Sequence, residues 1–579
     1  MYIQRNKKSK TSGGHYESAL LCHKYRENGV VKTKVLANLS MLPAEALLSL
    51  ENSLKANQHG ETVFSEKDIS IEKVIDFGYF FVIYTLLEKL RIAQLFDTLI
   101  PHQSAIIKLV IIGKILTRGS KLEIFNWIKR NPFFAQIIGI ELDKLKLDDI
   151  YQAVGQLPQY QDKIERKWGV YNKASEKEIF LYDITSSYFE GVKNVLAAFG
   201  YSRDGKSNKK QITIGLITDS FGFPLKIEVF EGNVNDHITV VNQLKALKEN
   251  FKAQKIIFVG DRGMKIRYNL EAMSEMERIG IEYITGLSKE EIKSLIKKDT
   301  IQLSLFSRDL VEVTDNGTRY ILSENPELSK EKTKFRNILR EKFENQIYKL
   351  QQSWQKRYKQ NLQNKEKQEK GHKNKKLVTE FRTEQIESFK KRMYLLCEKY
   401  NMNTYYSITI SCDEFKIDFN LTQYNNDKNL DGLYVLVTNV KAEEYDKKQV
   451  REQYKNLKHV EHAFRDMKSV RINVRPIYHV NEATTRGHIL CTMFSYAIIY
   501  TMEQSIFPLL KEINKQLSYK DIAGELSQIK IVEYNLGKKV QKIQITKLTQ
   551  MQEKIFKALK IKENDLIKFE NVATNRKKN

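Results

Sequence analysis

The chain has 579 residues, 41% of them hydrophobic, so it is long enough for several domains with substantial cores. Its formal net charge of +25 and pI of about 9.4 favour polyanions such as nucleic acid as partners, although a lysine-rich composition inherited from an AT-rich genome would give the same excess. The four cysteines are scattered without a CxxC or CxxH pattern, which argues against a zinc site and suits reduced thiols.

The most apolar segments are too short or too interrupted for membrane spans. Residues 78–87, GYFFVIYTLL, cannot cross a bilayer, and the run 105–116 is broken by lysines. The basic start MYIQRNKKSK has no apolar stretch behind it, unlike a signal peptide. We therefore expect buried helices and no membrane partner.

The first 175 residues are predicted to form two structural regions, a small module and a helical domain. Residues 1–60 form a small N-terminal module, in which RENGVVKTKVLANLS predicts a hairpin with an Asn-Gly turn and Pro43 stands near the start of a helix. Residues 61–175 form a helical domain, because apolar residues recur at three- and four-residue spacing throughout 67–170. Basic residues between these helices suit either recognition of a DNA end or a structural cap.

The pattern of residues 176–290 predicts the first part of a catalytic core. Five short β-rich runs and two helix-like segments, 236–251 and 267–278, give the order β-β-β-α-β-α-β. Three antiparallel strands followed by parallel β-α units match an RNase H-like mixed sheet with flanking helices, in which the first and fourth strands are neighbours. Asp183 lies in the first of these strands and Asp261 ends the fourth, so we expect the two carboxylates to be adjacent.

Residues 291–440 predict an inserted subdomain, a helical hairpin followed by a small sheet. Its first helix carries one apolar stripe: Phe335, Leu339, Phe343, Ile347, Leu350, Trp354, Tyr358 and Leu362. The run 365–376 has no apolar residue and predicts a solvated loop, after which 380–399 returns as a second helix. We expect Trp354 to pack in the core, with stacking on a displaced base as the alternative.

The last part of the chain contributes a third acid. Residues 441–510 predict the second part of the core, with a helix over 441–470 that places Tyr454, Glu461 and Lys468 on one face, and with Arg465 one turn after Glu461. An ordinary surface helix with a Glu–Arg pair is the alternative. Residues 511–579 form a C-terminal region of a hairpin and a helix, a candidate for dimerisation or DNA contacts.

The three acids together suggest phosphoryl-transfer chemistry. Asp183, Asp261 and Glu461 would offer hard oxygen ligands of the kind that Mg²⁺ or Mn²⁺ prefers. Two such ions can activate water and stabilise both oxygens of an in-line displacement at phosphorus. In a chain this basic, the natural substrate is a nucleic-acid phosphodiester.

At these residues the sequence resembles the DDE-class insertion-sequence transposases of the group with the signature Tyr-x2-Arg-x3-Glu-x6-Lys. YDITSSYFEG resembles the strand of the first Asp, GDRGM that of the second, and Tyr454-x6-Glu461-x6-Lys468 fits the third motif in register. The segments YSRDGKSNKKQITIGLITDSFGFPLKIEVFEGN, VRPIYH and YRENGVVKTKVLANLS are similar to further parts of the family. The chain departs from the signature at its arginine, which falls on Leu457.

The resemblance implies both a reaction and its partners. Asp183, Asp261 and Glu461 would hold two Mg²⁺ or Mn²⁺ ions, cut at the terminal inverted repeats of the element, and join the 3′-OH ends to target DNA. Double-stranded DNA would be the partner, bound by a homodimer in the synaptic complex, in the bacterial cytoplasm and at the nucleoid when on DNA. The candidate DNA-binding residues are Tyr454, Arg465, Lys468 and Arg262, the last with a structural role as the alternative.

Three rival functions follow from the same residues. A haloacid-dehalogenase-type phosphatase would need a second Asp where Thr185 stands. A nuclease of the same fold would keep the acids but lose end-specific binding and strand transfer. An inactive DNA-binding relic is the third, and the replacement of the signature arginine by Leu457 is consistent with it.

Overall fold

In the computed structural model of the protein, the described residues are all except 10–14, 60–68, 192, 235–238, 241–246, 263–277, 279, 308–309, 370–382, 412, 476, 514–516, 537–539, 567–568 and 570–579. The strands are β1 (Tyr2–Ser9), β2 (His15–Glu27), β3 (Val30–Asn38), β4 (Ile69–Asp76), β5 (Ile179–Tyr188), β6 (Gln211–Asp219), β7 (Pro224–Glu231), β8 (Ile257–Gly260), β9 (Glu282–Gly286), β10 (Val311–Asp315), β11 (Thr318–Glu324), β12 (Tyr406–Ile410), β13 (Phe415–Phe419), β14 (Leu433–Thr438), β15 (Lys530–Leu536) and β16 (Val540–Ile545).

The α-helices are α1 (Ala44–Gln58), α2 (Gly78–Lys89), α3 (Pro101–Thr117), α4 (Lys121–Arg130), α5 (Pro132–Ile138), α6 (Leu147–Gln156), α7 (Gln161–Tyr171), α8 (Lys289–Lys297), α9 (Pro326–Glu369), α10 (Thr383–Tyr400), α11 (Leu421–Asn429), α12 (Lys447–Lys455), α13 (Lys458–Arg465), α14 (Glu482–Glu512), α15 (Tyr519–Ser527) and α16 (Gln550–Ala558). Short 3₁₀ turns cover Ala93–Phe96, Leu157–Tyr160, Ala174–Glu176 and Leu303–Ser307, and a π turn covers Asp466–Val470. None of the helices in the described ranges combines the length and the apolar character that crossing a bilayer requires.

The chain divides into two compact units. The first, Met1–Leu86 with Met502–Asn579, contains the antiparallel sheet β1-β2-β3 and the sheet β16-β15-β4. The predicted hairpin is confirmed between β2 and β3, where Asn28 and Gly29 both take positive φ, as a type I′ turn requires. The helix α1 begins directly after Pro43, as predicted.

The prediction of helices throughout 67–170 is wrong at its start. Residues Ile69–Asp76 form β4, which pairs antiparallel with β15 more than 450 positions later in the chain. The alternation in ISIEKVID is a strand pattern, but its partner is too distant for local periodicity to reveal.

The second unit, Leu87–Thr501, is built on an eight-stranded mixed sheet of order β10-β11-β14-β9-β8-β5-β6-β7. Strands β5, β6 and β7 run antiparallel, and β5 and β9 both run parallel to β8. The predicted neighbours, first and fourth strands, are confirmed as β5 and β8. Much of both predicted crossover helices, 236–251 and 267–278, lies outside the described residues.

The turn between β6 and β7 is confirmed at Phe221–Pro224. Asp219 Oδ1 accepts the backbone N–H groups of Phe221 and Phe223 at 3.0 Å each, and Gly222 takes a φ of +97°. A Cβ at Gly222 would lie 2.9 Å from the Cβ of His459, so the turn packs directly against α13.

The inserted region differs in part from the prediction. The long helix α9 runs to Glu369, into the predicted loop, whose remainder at 370–376 lies outside the described residues. Strands β10, β11 and β14 belong to the main sheet, and β12 and β13 form a separate hairpin with α9, α10 and α11. Trp354 is buried in that subdomain, stacked on Tyr358 at 5.1 Å, so core packing is confirmed.

Candidate active site

The two aspartates stand side by side at neighbouring strands. Asp183 follows Tyr182 on β5 and Asp261 follows Gly260 on β8, and Tyr182 and Gly260 are register partners in the parallel pair. The next residue along each strand is therefore the acid, on strands about 4.8 Å apart. This is the adjacency that the sequence predicts.

Glu461 reaches the same neighbourhood from a helix. The helix α13 buries Val460, Ala463 and Phe464 and leaves Glu461 exposed beside the sheet. The pKa of Asp183 is raised to about 7, mainly by burial and in smaller part by the carboxylates of Asp261 and Glu461, while the Ile184 amide and Arg203 oppose the rise. All three acids thus share one electrostatic environment.

Tyr454 orients the second aspartate. Its hydroxyl donates to Asp261 Oδ1 at 3.1 Å. A Cβ at Gly286, the last residue of β9, would lie 2.6 Å from that hydroxyl oxygen, so only a glycine leaves room for it. Burial, followed by the charge of Asp261, holds the pKa of Tyr454 well above its ordinary value, so the phenol remains a donor.

Lys468 lies inside the site rather than at its surface. It is 8% exposed, and its ammonium donates to Thr185 Oγ1 at 2.5 Å and to Asp204 Oδ1 at 2.9 Å. Thr185 is two residues beyond Asp183 on β5 and so on the same face. Arg475 Nη1 also contacts Asp204 Oδ1, at 2.7 Å.

The predicted continuous helix over 441–470 is wrong in detail. A turn at Asn456 and Leu457 separates α12 from α13, and the π turn Asp466–Val470 follows without interruption. The π turn carries Lys468, and such turns often lie at functional sites because they redirect one side chain. Tyr454 and Lys468 still reach the two strands that carry the aspartates.

The position of the signature arginine is buried. Leu457 is only 7% exposed, at the junction of α12 and α13. We expect Leu457→Arg to lower the free energy of unfolding by roughly 1–3 kcal/mol, because it forces a charge into this packed position. Chemical denaturation of the variant beside Lys458→Arg, a change at the exposed neighbour, measures this; equal stability of the two would contradict it.

The two remaining predicted DNA-binding residues lie at the rim. Arg262 is exposed and directly follows Asp261. Arg465 is exposed on α13. Burial raises the pKa of the neighbouring Asp466 above its ordinary value, and the charges of Arg471 and Arg465 oppose that rise. The structure therefore brings Asp183, Asp261, Glu461, Tyr454 and Lys468 together, and Arg262 and Arg465 are exposed one residue after Asp261 and one turn after Glu461.

Sequence reasoning missed the residues that support this site. Asp204, Arg475 and Gly286 were not singled out, and Thr185 was considered only as the place where a phosphatase would need its second Asp. Asp204 and Arg475 lie in YSRDGK and VRPIYH, two of the segments quoted for the resemblance. Charged residues inside those segments were the available signal.

The donor set suits a hard divalent cation. Among the described residues, no group of three or more His, Cys, Asp or Glu side chains is close enough to enclose a metal ion as it stands. A partly buried carboxylate whose ionisation is opposed by two like charges nevertheless has the chemistry that such a cation would stabilise. We therefore regard these acids as fitting a metal, in a site open on one side.

Comparisons with known proteins give matches to transposases. A family model described as the transposase DDE domain matches residues 174–496, more than half of the chain, and the N-terminal domain of the IS1634 family transposases matches residues 4–66. No curated protein matches the sequence significantly. Among solved structures, a piggyBac transposase synaptic complex with hairpin DNA matches over 73% of this chain and 69% of its own, at 10% identity. Its TM-score of 0.32 is too low to establish a shared fold.

Proposed function

The chain belongs to the family of transposases with a DDE domain, and from that premise we propose that it cuts DNA at the terminal inverted repeats of its insertion sequence and joins the freed 3′-OH ends to target DNA. We further propose that it belongs to the group with the Tyr-Arg-Glu-Lys signature and that its main sheet is an RNase H-like core. The observation that carries the proposal is the convergence of Asp183, Asp261 and Glu461, with Tyr454 donating to Asp261.

The three carboxylates would hold two Mg²⁺ or Mn²⁺ ions. Bound there, the ions would supply activation of water or of a 3′-OH, and stabilisation of both oxygens in an in-line displacement. Asp183 and Asp261 would provide ligands from the fixed frame of the sheet, and Glu461 would complete the set from α13. Carboxylates on packed strands cost little reorganisation when the reaction begins.

The groups around the acids would position them and the DNA. The Tyr454 hydroxyl fixes one rotamer of Asp261 by its hydrogen bond. Lys468 ties the π turn to β5 through Thr185 and to Asp204, so it would hold Glu461's helix over the strand as well as add positive charge. Arg262 and Arg465, at the exposed rim, would contact the phosphates of the DNA.

Partners and location follow from the same proposal. Double-stranded DNA, both the terminal inverted repeats and the target, would be the substrate. A homodimer would hold two ends in the synaptic complex, and the protein would act in the cytoplasm of a bacterium, at the nucleoid when it is bound to DNA.

The first test maps cuts on a plasmid that carries the element with both flanks, in Mg²⁺ or Mn²⁺. Wild-type protein should cut at the element ends, and Glu461→Gln should bind the ends but cut at none of them. Scattered metal-dependent nicking would favour a nuclease of the same fold. Tight end binding without cutting by the wild type would favour an inactive relic, and a Glu461→Gln protein that still cuts would remove Glu461 from the site.

A further inference from the structure

A basic cavity, separate from the acidic site, lies in the same compact unit as the acids. A cavity of about 580 Å³ is lined by the end of α3, the start of α4 and the segment 473–488. Its basic lining residues are Lys114, Arg118, Lys121, Arg475, His479 and His488. The acid among the lining residues is Glu123, whose carboxylate caps α4 by accepting the backbone N–H of Ser120 at 2.5 Å. The lysines and arginines of the walls therefore outnumber the acid.

Lys121 is buried and, among the described residues, has no ion pair. It is 4% exposed, and its Nζ atom lies 2.7 Å from His479 Nε2 and 2.8 Å from His488 Nδ1. Both ring nitrogens can accept from Lys121 Nζ only if the imidazoles are neutral. Burial, and then the charges of Lys121 and Lys114, lower the pKa of His479 to about 2, so it remains neutral. The imidazoles satisfy hydrogen bonds of Lys121 but provide no negative charge.

Lys114 is more isolated. It is 3% exposed, and within the part of the chain that the structure describes its ammonium has neither a hydrogen bond nor an ion pair. Burial lowers its pKa to about 8, which still leaves it mostly protonated at neutral pH. Burial, followed by the charge of Lys114, lowers the pKa of Lys121 well below its ordinary value, and Glu123 only partly opposes the effect of burial on Lys114. An anion in the cavity would stabilise the protonated form of both amines. The N-terminus of α4, capped by Ser120, adds partial positive charge at the same wall.

We propose that this cavity binds a phosphate group, held by the ammonium of Lys114 and by Lys121 with its two histidines. The phosphate could belong to DNA or to a small free phosphate compound. Arg475 favours DNA as the source, because it lines the cavity and also contacts Asp204, which Lys468 joins to the strand of Asp183. On this proposal, a DNA strand bound at the acids contributes a further phosphate to the cavity. The choice of DNA rests on the proposed function, whereas the phosphate chemistry does not.

Two probes test the proposal on the full chain in EDTA, so that binding is separated from metal-dependent cutting. The first is inorganic pyrophosphate, read by the shift in melting temperature, and the second is a 30-base-pair duplex, read by fluorescence anisotropy over a range of NaCl concentrations. The variants are Lys114→Met and Lys121→Met, and the control is Lys108→Met, also on α3 but outside the cavity lining.

Pyrophosphate should raise the melting temperature of the wild type and of Lys108→Met by several degrees, and should leave Lys114→Met and Lys121→Met unshifted. If DNA supplies the phosphate, the two cavity variants should also bind the duplex about tenfold more weakly, with a salt slope lower by about 0.9 per lost contact. Loss of the pyrophosphate shift alone would assign the cavity to a free phosphate compound. Wild-type behaviour of both variants with both probes would overturn the proposal.

A measurement on the wild type alone keeps the test independent of how the variants fold. Saturating pyrophosphate should slow hydrogen–deuterium exchange of backbone amides in the peptides that line the cavity, at 114–121 and 477–488, while peptides from α9 exchange equally with and without it. Equal exchange of the cavity peptides under both conditions would contradict the proposal. Neither readout involves cleavage, so a transposase without this phosphate site, or a phosphate site in an inactive protein, would be recognised as such.

Discussion

Asp183→Asn is expected to abolish metal-dependent cleavage, by on the order of 10³-fold or more, while end binding is retained. The amide keeps the shape of the side chain and one acceptor oxygen, but it replaces the other oxygen by an NH2 donor and removes the charge that would hold a divalent ion. Metal assistance contributes several kcal/mol to the transition state, and each 1.36 kcal/mol is about tenfold in rate. Single-turnover cleavage of an end-containing duplex, with end binding measured by anisotropy, would show this.

The same substitution should stabilise the metal-free protein at high pH. The folded-state pKa of Asp183 is raised to about 7 from an ordinary value of 3.8, so folding favours the neutral acid and stability is lost as the pH rises through this window. The shift of about three units corresponds to at most about 4 kcal/mol. Since Asp183 is only partly buried, we expect roughly 1–2 kcal/mol at pH 8.

The sign of this stability change shows whether the charge of Asp183 destabilises the metal-free fold or supports it. The advantage of Asp183→Asn should shrink as the pH falls from 8 to 5, and Mg²⁺ or Mn²⁺ should raise the melting temperature of the wild type but not of the variant. Asp143→Asn, at an exposed turn, is the matched control and should behave as the wild type does in both respects. A destabilised Asp183→Asn protein at pH 8, or one that still cuts, would contradict the assignment.

The adjacency of the two aspartates could be predicted because it depends on sheet topology. The order of short β-rich runs fixes which strands are neighbours, and the observed register places Asp183 and Asp261 one residue beyond the partners Tyr182 and Gly260. The hairpin at Asn28 and Gly29 was predictable for a local reason, because few residues adopt positive φ. The adjacency prediction uses only the order of strands and helices along the chain, and the hairpin prediction uses only a few neighbouring residues.

What could not be predicted depends on distant contacts. Strand β4 forms because β15 pairs with it. Strand β14 pairs with β9 and β11 in the main sheet, although the helices of the insertion separate it from both strands in the sequence. The bridge from Lys468 through Asp204 to Arg475 joins three segments by charge alone. No periodicity in the sequence marks such pairs.

The largest stability effect is expected where α7 meets the sheet. Lys226 on β7 contacts Glu165 of α7 at 2.9 Å, with side chains 7% and 0% exposed, and Gln161 Nε2 donates to Glu165 Oε1 at 2.8 Å. Burial alone would lower the pKa of the Lys226 ammonium, but the carboxylates of Glu165 and Glu228 more than offset this, so the pKa is raised. Burial raises the pKa of the Glu165 carboxyl, and the Lys226 ammonium opposes that rise. The direct 2.9 Å contact favours the ionised pair, whose stability depends on both members.

Glu165→Leu should lower the free energy of unfolding by roughly 3–5 kcal/mol, because it leaves the Lys226 ammonium buried without its main partner. Glu228, 3.6 Å away, can offset only part of the loss. The double variant Glu165→Leu with Lys226→Met should recover most of the stability, because two apolar side chains of similar size replace the whole pair. Denaturation followed by the fluorescence of the neighbouring buried Trp168 would measure all three proteins.

The exposed pair of Glu141 and Lys144 provides the control, since Glu141→Leu removes a contact of similar length, 2.6 Å, from a solvated surface and should leave the midpoint unchanged. If Glu165→Leu were as stable as that control, the charges of the buried pair would not be coupled to folding. If the double variant were no more stable than the single one, the loss would come from the packing of α7 on β7 rather than from the unpaired ammonium.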